Sequence, residues 1–209
     1  MDIACFKKKS YLCVLNCVIM RKTHAIIFIL ACLSFVACHR RPTPKQYAYF
    51  RMAIPDTAYV QDSLQDYPYT FKVSKNAEIK PHYFPGENYW IDIVYPSLNA
   101  TIYCSYKPIK NNLHTLARDA QEFLFSHSRV ASAIPTQEYA DDTRRMYGIY
   151  CELHGDVASP IQFVLTDSID HFFRASVYCN AVPNQDSLAP IYDYIREDIR
   201  VMIESMQWK

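Results

Sequence analysis

Glycine is nearly missing from this 209-residue chain: only Gly86, Gly148 and Gly155 are present. No glycine-rich loop that cradles phosphate can be built from them. Cationic surplus is scarce too. Of 22 basic and 21 acidic residues, five basic ones and one acidic one precede Cys38, which leaves 17 basic against 20 acidic, a net charge of −3. No basic stripe remains to follow a nucleic-acid backbone. Cysteine beyond Cys38 is limited to Cys104, Cys151 and Cys179, at spacings that match no zinc pattern. They read as small buried hydrophobes on strands, and pairing of two of them in an oxidising compartment stays open. A long apolar run is also lacking. The longest, Ala25–Ala37, has 13 residues, short of the ~20 that a spanning helix needs.

That short run has a different meaning. Arg21 and Lys22 precede it, Ala37 and Cys38 close it, and Arg40 and Arg41 follow. A basic start, an apolar middle and a small residue at the cut describe a secretory signal. Phe35-Val36-Ala37-Cys38 resembles the lipobox of bacterial lipoproteins, with Phe35 where leucine is usual. Ile29-Leu30-Ala31-Cys32 is a second such box, but its apolar stretch, Ala25–Ala31, is shorter. The expectation is thioether attachment of diacylglycerol to Cys38, cleavage, and acylation of the new amine with a palmitate-like chain. Residues 1–37 are then the signal peptide, with Met20 as the expected true start. Residues 38–48, polar and proline-containing, form a lipidated tether, and 49–209 form the domain.

Along the domain, 49–69 reads as an irregular wrap broken by Pro55 and Pro68. Tyr69–Ser74, Tyr89–Tyr95, Ala100–Tyr106, Tyr147–Leu153, Ile161–Thr166 and His171–Cys179 read as strands, rich in β-branched and aromatic residues. Pro96-Ser97-Leu98-Asn99 and Asp167-Ser168-Ile169-Asp170 are turn sequences. Leu113, Leu116, Ala117, Ala120, Phe123 and Leu124 follow the rhythm of a helix face, with Asn111 or Asn112 as cap. Leu188, Ile191, Ile195, Ile199, Met202, Ile203 and Met206 do the same in a second helix, with Asp186 and Ser187 as caps and Pro190 in its first turn. The order β-β-β-α-β-β-β-α predicts an α+β fold: one mostly antiparallel sheet packed by two main helices.

Chemistry is hard to find. Ser168, Asp170 and His171 lie within one short turn, and adjacency in sequence does not make a triad. His154 and Asp156 read as a polar loop. After the signal, no two histidines sit four apart on a helix, so no metal site is expected. No catalytic residue and no cofactor is assigned. A hydrolase using His154 or His171, or a ligand pocket between sheet and helices, is the alternative. Asn99-Ala100-Thr101 matches the N-glycosylation sequon and reads as a turn. Asp56-Thr57-Ala58, Asp62-Ser63-Leu64, Asp167-Ser168-Ile169 and Asp186-Ser187-Leu188 resemble a short O-glycosylation signature, and turns and caps account for two of them.

The stretches YFRMAIP, YPYTFKV, YKPIKNNL, ASPIQFVLTDS and the closing ESMQWK resemble the gliding motility lipoprotein GldD family of Bacteroidota. The resemblance covers nearly all of the chain after Cys38. It implies a non-catalytic cell-envelope lipoprotein that supports gliding motility and the associated type IX protein secretion machinery. The implied partners are a membrane, reached through acylated Cys38, and other envelope proteins of that machinery. His39-Arg40-Arg41 lacks the acidic residues of a surface-export tag, so the expected location is the outer membrane, facing the periplasm. Tyr49, Phe50, Tyr83, Phe84 and Trp208 are the aromatic candidates for docking.

Overall fold

The computed structural model describes residues 53–209. Cys38, its tether, Tyr49 and Phe50 lie outside the described residues. Short strands come first: β1 (Tyr59–Gln61), β2 (Tyr69–Thr70), β3 (Lys72–Ser74) and β4 (Glu78–Pro81). The hairpin β5 (Ile91–Tyr95) and β6 (Ala100–Pro108) leads to helix α1 (Leu113–Ser128). Next come β7 (Thr136–Asp141), β8 (Met146–Glu152), β9 (Ile161–Thr166) and β10 (His171–Cys179). The long helix α2 (Gln185–Ser205) and β11 (Gln207–Trp208) finish the chain.

Seven of the strands form one sheet in the order β4-β5-β6-β10-β9-β8-β7, with every pair antiparallel. The strand period of two divides its residues between two faces. One face carries Ile91, Ile93 and Tyr95 of β5, Ile102 and Cys104 of β6, Phe163 of β9, and Phe173, Ala175 and Val177 of β10, all buried. Helix α2 packs on this face. All seven residues of its predicted apolar stripe are buried in the same core.

The opposite face is polar and aromatic. Asp92, Tyr103, Ser105, Arg174, Ser176 and Tyr178 alternate with the core residues along β5, β6 and β10. Helix α1 reaches this side, where the Phe123 ring lies 3.6 Å from the Arg174 guanidinium. Of its described residues only Leu116 is buried, Leu113, Ala120, Phe123 and Leu124 are half-buried, and Ala117 is exposed. The expected stripe is therefore only partly used.

Other details depart from the sequence reading. The predicted strand Tyr69–Ser74 breaks at Phe71. Its halves serve two small ladders, β2 with the C-terminal β11 and β3 with β1. The described residues of the wrap are held by β1 and by the Asp62 carboxylate, which accepts from Leu64 N, Phe71 N and Thr70 Oγ1. The edge strands β4 and β7 were not expected. Asn184, not Asp186 or Ser187, caps α2 by accepting from Ser187 N at 2.9 Å, which places Pro190 in the second turn. Asn112 spends its side chain on Lys110 N rather than on α1. The two predicted turns hold. Asn99 takes φ +50° and donates its amide to Asn180 O at 2.8 Å.

Candidate functional site: the open face of the sheet

The residues first suspected of chemistry serve the fold. His171 Nδ1 shares a 2.8 Å hydrogen bond with the Tyr106 hydroxyl, and its ring stacks on Trp208 at 4.9 Å and 3°. The Asp167 carboxylate accepts backbone N–H bonds from Ile169, Asp170 and His171, which closes the β9–β10 turn. Burial works to raise its carboxyl, but the N–H groups outweigh that and hold it below the ordinary value. His154 bridges to Ala133 through its backbone, and its ring approaches Glu152 at 3.8 Å. Glu152 in turn accepts from Arg196 of α2 at 2.8 Å. Among the described residues, neither imidazole is hydrogen-bonded to a serine or cysteine side chain: His171 meets the Tyr106 hydroxyl and His154 faces Glu152. Among the described residues no three His, Cys, Asp or Glu side chains gather as a metal would need. Cys104 and Cys151 are buried, Cys179 is half-buried, and all three are free thiols.

The concave region lies elsewhere. Because α1 covers the polar sheet face incompletely, two adjoining hollows stay open, of about 430 Å³ and about 420 Å³. They share Tyr103 and Tyr178, whose rings meet edge-on at 5.5 Å and separate them. The larger hollow is bounded by the β4–β5 loop and by β5, β6, β10 and α1. His82 Nδ1 and Asp92 Oδ2 lie 2.9 Å apart on its wall. Trp90 is fixed by donating to Tyr106 O at 3.0 Å, and Phe84 stacks on it at 4.9 Å.

Arg174 forms the floor. In β10 it sits opposite Ser105 and Val164, and the alternation that buries Phe173 and Ala175 turns it to the open face. Its guanidinium lies over the Phe123 ring, a cation–π contact. None of the described acidic side chains comes within ion-pairing distance of it. Burial pulls it below the ordinary arginine range. The sequence reading named neither Arg174 nor Asp92. A charged residue inside the apolar run HFFRASVYC was the available signal.

At the mouth, the β4–β5 loop exposes aromatic surface: Tyr83 is 87% accessible, Phe84 48% and Tyr89 43%. Tyr83 and Phe84, two of the aromatic candidates for docking, are both exposed. Trp208 is not free, since it is held in β11 and stacked on His171.

Comparison with known proteins adds the following. Among solved structures, the solution structure of cyanobacterial PsbP (CyanoP) from Synechocystis sp. PCC 6803 is similar at 11% identity and a TM-score of 0.44. The match covers 75% of this chain and 96% of that one. No match was found among curated proteins. The family model described as gliding motility lipoprotein GldD matches residues 39–208, nearly the whole chain beyond Cys38. With that match and an antiparallel α+β body, the chain belongs to the gliding motility lipoprotein GldD family, whose members are lipoproteins of the cell envelope.

Proposed function

We propose that this protein is a non-catalytic scaffold of the cell envelope that supports gliding motility and the associated type IX secretion machinery. Acyl chains on Cys38 hold it in the outer membrane, with the domain facing the periplasm, and it docks onto other envelope proteins of that machinery. The observation that carries this reading is the family match, which begins at residue 39, directly after the cysteine. Acylation supplies the attachment. Each buried CH₂ contributes about 0.8 kcal/mol, so two or more chains anchor the body stably while one does not. The non-catalytic reading is supported by the structural employment of His154 and His171.

Docking is assigned to the exposed aromatics of the β4–β5 loop. Tyr83 and Phe84 offer rigid amphipathic area, the kind enriched at protein interfaces. A photo-crosslinking amino acid placed at Tyr83 in living cells tests it. The expected products contain other motility or secretion envelope proteins, and the same probe at the exposed edge position Glu138 does not yield them. Equal capture from both positions, or none from Tyr83, overturns the reading.

A further inference from the structure

The larger hollow holds a cation and an acid that do not pair with each other. Arg174 presents the five N–H donors of a guanidinium, its face is covered by Phe123 at 3.6 Å, and no described carboxylate lies close enough to neutralise it. A partly buried cation left unpaired is costly, and a counter-anion relieves the cost. The planar fork matches a carboxylate or phosphate through two parallel hydrogen bonds.

Across the hollow, Asp92 bonds His82 through Oδ2 only, so Oδ1 remains an acceptor. That second charge matters. A bare anion drawn to Arg174 is repelled by Asp92, whereas a ligand that also carries hydroxyl donors satisfies both. Tyr103, paired with Asp92 across β5 and β6 and 44% accessible, lines the same hollow. A volume of about 430 Å³ lies within the usual range of small-molecule sites, roughly 300–1,000 Å³.

We propose that this hollow binds an acidic sugar, a small ring bearing a carboxylate or phosphate. Arg174 holds the anion, Asp92 accepts from ring hydroxyls, and Tyr103 covers one face of the ring. The site goes beyond the docking role: the loop aromatics stand at the mouth of the hollow, while Arg174 and Asp92 line its interior, and ligand binding is measured without any docking partner.

Calorimetric titration of the full chain in polyoxyethylene detergent, at fixed ionic strength, tests the assignment. The probes are glucuronic acid and glucose 6-phosphate, with glucose and inorganic phosphate as controls. At least one acidic sugar is expected to bind saturably, at least tenfold tighter than either control. Preference for glucuronic acid identifies a carboxylate ligand, and preference for glucose 6-phosphate a phosphate one. Arg174→Met, whose stem still packs on Phe123, is expected to weaken binding tenfold or more. Arg174→Lys, which keeps the charge without the fork, falls between. Asp92→Asn is expected to tighten inorganic phosphate and to narrow the gap between it and glucose 6-phosphate. Acidic sugars that bind no tighter than both controls, or unchanged affinity in Arg174→Met and Arg174→Lys, overturn the proposal.

Discussion

Asp198 shows what a single buried charge does to this fold. It lies on the core side of α2 and is 4% accessible, and its Oδ1 accepts from the Tyr59 hydroxyl at 2.8 Å. Burial is the largest influence on it and raises its carboxyl above the ordinary value of 3.8, despite the hydroxyls that favour the ionised form. The sign follows from linkage. A group that binds its proton more tightly folded than unfolded favours folding when protonated. Its unfavourable contribution is full above the folded value, shrinks as pH falls through it, and is gone below 3.8. Asp198→Asn keeps an acceptor for Tyr59 and removes the ionisation. At pH 8 the variant is expected to melt about 2–4 °C above the native chain, on the order of 1 kcal/mol for a body of this size. The difference should vanish near pH 3.5. Melting curves across that range check it, and a gap that widens on acidification contradicts it.

Between elements, the two helices differ in how they are held, although both show an apolar stripe in sequence. Helix α2 buries nine residues, is capped by Asn184, and is clamped at its far end by Arg144, which donates to Glu204 O and Met206 O. Such donors satisfy the last carbonyls of a helix. Helix α1 buries Leu116, lacks a side-chain cap and leans on Phe123 over Arg174. Local opening follows buried apolar contact. Amides in the first half of α1 should therefore exchange hydrogen through local opening, at least about tenfold faster than those between Ile191 and Ile203, which open only with the whole fold. Equal protection by mass spectrometry would contradict this. The same contrast marks what was legible in the sequence. Ile161–Thr166 and His171–Cys179 were bounded correctly because two-sided burial gives dense β-branched and aromatic runs. The edge strands were missed because Thr136–Asp141 is largely exposed and Glu78–Pro81 carries charge and a proline, as edges do. A ligand pocket between sheet and helices was among the alternatives, but the residues that line the hollow were hidden for another reason. Its floor depends on which strands neighbour β10, and on the lack of an acid opposite Arg174, and no local pattern reports either.

At the scale of the whole molecule, both ends of the described body are fastened to one another. Strand β1 pairs with β3, Tyr59 reaches Asp198 of α2, and the Lys209 ammonium donates to Leu64 O at 2.6 Å. The first strand is thus tied to the core through both its ladder and its side chains. The proposed function hangs this body from lipid on its N-terminal side, so the proposal turns on which cysteine is acylated. Two cysteines compete for acylation in the sequence. Cleavage before Cys32 leaves an apolar stretch of only Ala25–Ala31, whereas Cys38 leaves Ala25–Ala37. Cells fed an alkyne analogue of palmitate are expected to label the native chain and Cys32→Ala equally and to leave Cys38→Ala unlabelled. The mature mass should correspond to a chain that starts at Cys38 and carries diacylglycerol and an amide-linked acyl group. Label retained by Cys38→Ala would move the anchor elsewhere and remove the basis for a lipid-hung scaffold at that cysteine.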